Sequence, residues 1–283
     1  MPKNQQIMPK SQQVCCELIR NAATFDDVAL LNGASEHPIS GACHERLAFA
    51  AEGVRARGAE VGFVVFDEET GMTLALNADT KFFGASTVKA MWVTYLFQEH
   101  VEKGRIAWDE VAGHVERCIA RSDNKAYTVL RSNYGSEQEF GDWLARVGVG
   151  YISSWDYYTP REQALAWTHM LAYTQSDGAY ADAWKAVFNH STRSFIRKAL
   201  SDRRVVYSKP GWIRENERRP NTYDDAAIVI DGGGRRYLVS IMSTMDPFDD
   251  CSKLYDLAIA LDAICTGTVI EGARIISFFD SES

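Results

Sequence analysis

Three short groups of residues carry side chains suited to covalent chemistry at a carbonyl. Lys89 follows Ser86 by three residues in Ser86-Thr87-Val88-Lys89, directly after Gly84-Ala85. Ser122-Asp123-Asn124 lies near the middle of the chain, and Lys209-Pro210-Gly211 three quarters of the way along. A hydroxyl at a helix N-terminus sits among backbone N–H groups without partners, which stabilise developing negative charge. A lysine three residues later lies on the same helix face and can reach that hydroxyl. Desolvated and close to another cation, it is held neutral and serves as a base. Ser122 then offers a second hydroxyl to relay a proton to a leaving nitrogen. Lys209 keeps the pKa of Lys89 low and attracts a substrate carboxylate. Backbone N–H groups beyond Gly211 complete an oxyanion hole with that of Ser86.

Each group also has a plainer reading. Ser86 suits an N-cap, Ser122-Asp123-Asn124 a turn or cap, and Lys209-Pro210-Gly211 a turn. The Ser-x-x-Lys spacing recurs from Ser122 to Lys125. Their order, and the elements that carry them, favour the chemical reading.

Those elements follow from periodicity. Cys43, Leu47, Phe49, Ala50 and Val54 recur near helical spacing from Ser40, and Arg57-Gly58 ends the helix. The β-branched and aromatic run 61–66, the turn 67–71 and the return 72–76 read as a hairpin. A helix over 86–103, apolar on several faces, is expected to be buried. Helical patterns dominate 108–202, and the period then changes to strands over 205–208, 223–230 and 237–242, with Gly232-Gly233-Gly234 as a hairpin turn. A last helix spans 253–265. The expected fold class is α+β: an antiparallel sheet built from both ends of the chain and flanked by N- and C-terminal helices, with an all-helical lobe inserted. The corresponding division is an N-terminal extension 1–38, a sheet lobe 39–85 and 205–266, a helical lobe 86–204 and a C-terminal tail 267–283.

Composition narrows the function. The 283 residues are 46% hydrophobic with a net charge of −8, so the chain can bury a large core and has no basic excess to recruit nucleic acid or an anionic membrane. No run approaches the ~18 apolar residues of a transmembrane helix, and no secretory signal is visible at the start. The six cysteines show neither a disulfide framework nor Cys-x-x-Cys, and the six histidines lack metal-ligand spacing. Gly232-Gly233-Gly234 is no phosphate loop, because no helix or Lys-Ser/Thr follows. No metal or other cofactor is expected.

Taken together, Ser86-Thr87-Val88-Lys89, Ser122-Asp123-Asn124 and Lys209-Pro210-Gly211-Trp212 resemble the signature of the penicillin-recognising serine enzymes, above all class A β-lactamases, with D-Ala-D-Ala peptidases and penicillin-binding proteins as relatives. The resemblance covers about residues 43–266, including Val61-Gly62-Phe63-Val64-Val65-Phe66-Asp67 and Tyr158-Thr159-Pro160-Arg161. It implies a bacterial β-lactamase-like serine hydrolase: Ser86 is acylated, Lys89 is its base, Ser122 relays the proton and Lys209 is the electrostatic partner. Asn124 contacts the substrate amide, and the N–H groups of Ser86 and Trp212, beside Gly211, form the oxyanion hole. The implied partner is a small β-lactam or D-Ala-D-Ala-type peptide, met by a monomer, and the family works outside the cytoplasmic membrane.

Three departures qualify the resemblance. Pro210 stands where a Thr or Ser hydroxyl would help bind the substrate carboxylate. The loop before Thr159-Pro160, residues 148–158, has no Glu-x-x-x-Asn, and Asp156 is its sole acid, with Glu162 just beyond. Only 36 positions separate Ser86 from Ser122, so the helical lobe is trimmed. Acylation is therefore expected without rapid deacylation, and the alternatives are a D-Ala-D-Ala peptidase, penicillin-binding protein or esterase-like hydrolase. A reading of a different class is a catalytically idle descendant that binds a ligand or protein in the old cleft. Near that cleft, Trp155, Tyr157 and Tyr158 suit either a wall or core filling. Arg214, Arg218 and Arg219 suit either a substrate contact or a solvated run.

Overall fold

The computed structural model describes residues 8–33, 39–153 and 155–267. Its centre is a five-stranded antiparallel sheet of β1 (Val61–Asp67), β2 (Thr73–Leu76), β5 (Val205–Ile213), β6 (Thr222–Ile230) and β7 (Arg236–Ser243), in the order β2-β1-β7-β6-β5. A separate two-stranded piece pairs β3 (Phe82–Phe83) with β4 (Tyr157–Tyr158). Every residue of β1 is buried, because both sheet faces are covered. Alternation sends Val61, Phe63 and Val65 into one core with α2 (Gly41–Arg55), α9 (Phe195–Leu200) and α10 (Ser252–Thr266), and Val64 and Phe66 into the other.

The second core belongs to the inserted helices: α3 (Val88–Leu96), α4 (Trp108–Ala120), α5 (Asn124–Asn133), α6 (Glu137–Ala145), α7 (Pro160–Thr174) and α8 (Ala181–Phe188). All nine residues of α3 are buried, as its all-round apolarity requires. The helix does not run on evenly to 103, since Phe97–Val101 forms a π-turn. Directly after β4, Thr159 and Pro160 start α7. The Thr159 hydroxyl accepts from the Glu162 N–H at 3.0 Å, while Glu162 accepts from the Thr159 N–H at 2.9 Å.

Two features differ from the sequence expectation. The weakly patterned start contains a helix, α1 (Lys10–Asn21), whose Cys15, Cys16 and Ile19 pack into the helical core. The strand expected over 205–208 continues to Ile213, so Lys209-Pro210-Gly211 lies within β5 and not at its end. Proline is tolerated there because β5 is an edge strand with β6 as its single neighbour in the sheet. All six cysteines are buried and unpaired. Residues 1–7, 34–38 and 268–283 of the expected extension and tail lie outside the described residues.

Candidate active site

Ser86 does not begin a helix directly. It sits in a turn one residue before Thr87, the N-cap of α3, and the preceding Ala85 has φ of 44°. Ser122 has φ of 57°. Left-handed backbone at a residue other than glycine carries strain and persists only where its surroundings hold it in place. At the first turn the support is visible. Tyr158 contacts Thr87 through a hydroxyl–hydroxyl hydrogen bond, and Thr87 donates to the Gly84 carbonyl at 2.7 Å. A Cβ on Gly84 would overlap the Tyr158 ring, and one on Gly211 would come within 2.8 Å of the Ser86 nitrogen and 2.9 Å of the Thr87 nitrogen. Both glycines thus let β5, β4 and the serine turn close together. The Ser86 hydroxyl caps no helix and has no hydrogen bond among the described residues. It opens into a cavity of about 580 Å³ also lined by Lys89, Asn124, Tyr127, Trp155 and Trp212.

Ser122-Asp123-Asn124 divides its labour. Asp123 is the cap expected of such a tripeptide, accepting from the N–H groups of Lys125 at 2.8 Å and Ala126 at 3.1 Å. That frees its two neighbours to meet the lysines. Lys89 Nζ donates to Asn124 Oδ1 at 2.6 Å and to the Ser122 carbonyl at 2.6 Å, with Ser122 Oγ at 3.4 Å. Lys209 Nζ donates to Ser122 Oγ at 3.0 Å and to the Pro210 carbonyl at 2.5 Å. The Ser122 hydroxyl is therefore the shared point of two buried ammonium groups.

Burial lowers Lys89 to about 8, partly opposed by the Asp123 charge. Burial lowers Lys209 to about 7, and the Lys89 charge pushes it the same way. Behind β5, Asp225 accepts from Ser194 Oγ at 2.6 Å and the Ile196 N–H at 3.0 Å, and burial raises it to about 7. Asp224, opposite Gly211, accepts from the Ser243 N–H at 2.9 Å with one oxygen lacking a described partner. Burial raises it well above the carboxylate range.

The structure thus brings Ser86, Lys89, Asn124 and Trp212 to one cavity, with Ser122 and fully buried Lys209 joined to Lys89 by hydrogen bonds behind its lining and Gly211 against the serine turn. In this state the amine of Lys89 bonds Asn124 and Ser122, not the Ser86 hydroxyl expected from helical spacing. Both acids weighed near the loop are engaged elsewhere: Asp156 accepts from the Ser153 N–H at 2.5 Å, and Glu162 closes the capping box. Among the described residues the carboxylate that lines the cavity is Glu137. Arg219 is no solvated charge, since its guanidinium lies 5.0 Å from the Phe83 ring centre and 5.8 Å from that of Trp155. Arg214 pairs with Asp246 at 3.3 Å. Sequence reasoning missed Asp224, Asp225, Arg131 and Glu137. The helical stripe Asn124, Tyr127, Thr128, Arg131 was the available signal for Arg131. Among the described residues, no cluster of His, Cys, Asp and Glu is arranged to hold a metal.

A sheet between two helical layers, with Ser-x-x-Lys, Ser-Asp-Asn and a strand lysine meeting at one site, defines the penicillin-recognising serine enzyme superfamily. The profile of the Beta-lactamase2 family, the beta-lactamase enzyme family, matches residues 47–116 and 111–258, and the chain belongs to that family. It is 24% identical over 225 residues to beta-lactamase ROB-1 of Haemophilus influenzae, covering 66% of this chain and 72% of that protein. Its fold is shared with a beta-lactamase from Chitinophaga pinensis (TM-score 0.67, 14% identity, 80% of this chain and 99% of the other). It is also shared with a point mutant of PBP-A, solved as an acyl-enzyme complex with penicillin G (TM-score 0.63, 17% identity, 79% and 96%).

Proposed function

We propose that this chain is a serine hydrolase that opens β-lactam amides through an acyl-enzyme on Ser86 and releases the acyl group slowly. The observation that carries this reading is the meeting of Lys89 and Lys209 at Ser122 beside an unengaged Ser86 hydroxyl. Neutral Lys89 takes the Ser86 proton as Oγ attacks the lactam carbonyl. The oxyanion is held by the N–H groups of Ser86 and Trp212. Collapse of the tetrahedral adduct breaks the C–N bond, and Ser122 passes a proton to the departing nitrogen, recovering one from the lysine network. Lys89 must first swing from Asn124 towards Ser86. Such tightening of catalytic hydrogen bonds on substrate binding is common.

Release is a second reaction with its own requirement: a water held and deprotonated against the ester. The loop 148–158 offers Asp156, already bound to Ser153, and the next acid, Glu162, is bound into the α7 cap. This supports a long-lived ester and keeps the penicillin-binding or D-Ala-D-Ala peptidase reading as the second one. The chain shares its fold with PBP-A, a mutant of which was captured as a penicillin G acyl-enzyme. Pro210, which has no hydroxyl, leaves Lys209 to attract the substrate carboxylate.

Intact-protein mass spectrometry over time with benzylpenicillin, with peptide mapping, tests the proposal. The expected result is an adduct on Ser86 that persists for hours and is absent from Ser86→Ala. An adduct that vanishes as penicilloate accumulates overturns the slow release. No adduct, or labelling retained in Ser86→Ala, overturns the serine mechanism and favours an idle binding cleft.

A further inference from the structure

The cavity at Ser86 does not end at the catalytic groups. It continues along α5, whose Asn124, Tyr127, Thr128 and Arg131 share one stripe at i, i+3, i+4 and i+7. Seven residues of helix rise by about 10 Å, so Arg131 stands roughly that far along the wall from Asn124. There Arg131 is in hydrogen-bonded contact with Glu137, the first residue of α6, and both line the cavity. The guanidinium lies 5.6 Å from the Trp92 ring centre and 5.7 Å from that of Tyr127, within cation–π range of both. Half-exposed Trp155 lines the cavity together with Tyr127. The subsite therefore has an apolar middle and a dipolar end.

Resting on the acylation reading above, we propose that this extension receives an acyl side chain ending in a zwitterionic amino-acid group. A side chain leaving the substrate amide at Asn124 passes Tyr127 and Trp155 as an aliphatic chain before meeting the pair. A purely anionic end meets Arg131 but is repelled by Glu137, and a purely cationic end suffers the reverse. A head carrying both an ammonium and a carboxylate forms one charge-assisted hydrogen bond with each partner. An aromatic end satisfies neither group. A merely structural role is the competing explanation, since the Arg131–Glu137 contact also ties α5 to α6.

The test compares penicillins that share one nucleus but carry aminoadipoyl (zwitterionic), adipoyl (anionic) or phenylacetyl (apolar) side chains. Second-order rates of Ser86 acylation are read by mass spectrometry in the native protein, Arg131→Gln and Glu137→Gln. The expected result is at least a tenfold preference for the zwitterion over both others, with the ratio falling towards one in either variant. Equal rates in the native protein, or variants that slow all three compounds alike, overturn the proposal. Calorimetric affinities of the three compounds for Ser86→Ala give a readout free of the covalent step, and the same order is expected. Acylation without selectivity removes the subsite alone. Selective binding without acylation removes the serine mechanism and leaves the subsite standing.

Discussion

The two sides of the Ser86 cleft are built to different standards. On one side the three motifs meet within hydrogen-bond distance, two lysines are desolvated, and strained turns at Ala85 and Ser122 hold the hydroxyl-bearing residues in place. On the other side a short connection carries Trp155 at φ of 79° beside exposed Tyr157, and its only acid is tied to a backbone N–H. On the proposed mechanism, the contrast makes acylation and release separable parts of one site. The first would draw on groups supplied by helices and a strand, the second on the connection that leads to α7.

The largest expected effect tests the well-built side. Lys89→Met removes the proposed base, and acylation by benzylpenicillin should fall by roughly 10²–10⁴-fold, the usual worth of positioned proton transfer. A loss below tenfold would mean that another group takes the Ser86 proton. The complementary change repairs the poor side: Trp155→Glu puts a carboxylate into the cavity, and release of the acyl group should speed up by about 10-fold or more. Decay of the adduct in stopped-reaction mass spectra measures this. Unchanged decay would show that water access, not a base, limits release.

A smaller effect concerns pH. Burial lowers both lysines, so the fraction of neutral Lys89 grows as pH rises through about 8, while charged Lys209 is lost as pH rises through about 7. In the proposed mechanism the competent form has the first neutral and the second charged, so acylation should be bell-shaped in pH, with limbs that belong to the pair. Lys209→Arg keeps its charge at every pH. It should lose the alkaline fall and keep the acid rise, whatever its absolute rate.

The smallest effect is on stability. Asp224 has its pKa raised by burial, so the folded state holds a proton that the unfolded chain releases above about 4. Its penalty therefore grows as pH rises from there towards the folded value. Asp224→Asn removes that slope, and its Tm advantage over the native protein should be a few degrees larger at pH 8 than at pH 5, since ~1 kcal/mol moves Tm by about 2–4 °C at this size. Parallel Tm curves for the two proteins would mean that Asp224 is ionised when folded.

Much of the architecture was legible because its signals are long. Runs such as 61–66 and 223–230 read as strands from their β-branched and aromatic residues, and α10 shows its apolar face plainly. What escaped was either short or cooperative. β3 and β4 have two residues each, too few for any period. α1 hides its stripe of Cys15, Cys16 and Ile19 within a polar, glutamine-rich stretch. The site residues were readable as types and order, whereas the partners of Lys89 depend on how α3 and the Ser122 turn are set against each other. Asp224 and Asp225 drew no notice in the sequence because nothing local reveals that both faces of β6 are covered.

The ends of the sheet carry a last consequence. At one margin, backbone hydrogen bonds from Phe25 to Ala75 (3.2 Å) and from Asn77 to Phe25 (2.7 Å) cap β2 with a piece of the chain's own N-terminal region. At the other margin Pro210 removes one backbone donor from edge strand β5, and the serine turn closes on Gly211. Neither border offers a full row of amide groups to a foreign strand, the template on which chains stack into insoluble sheets. Thr24 and Phe25 therefore shield one margin of the sheet, although they stand outside the cleft.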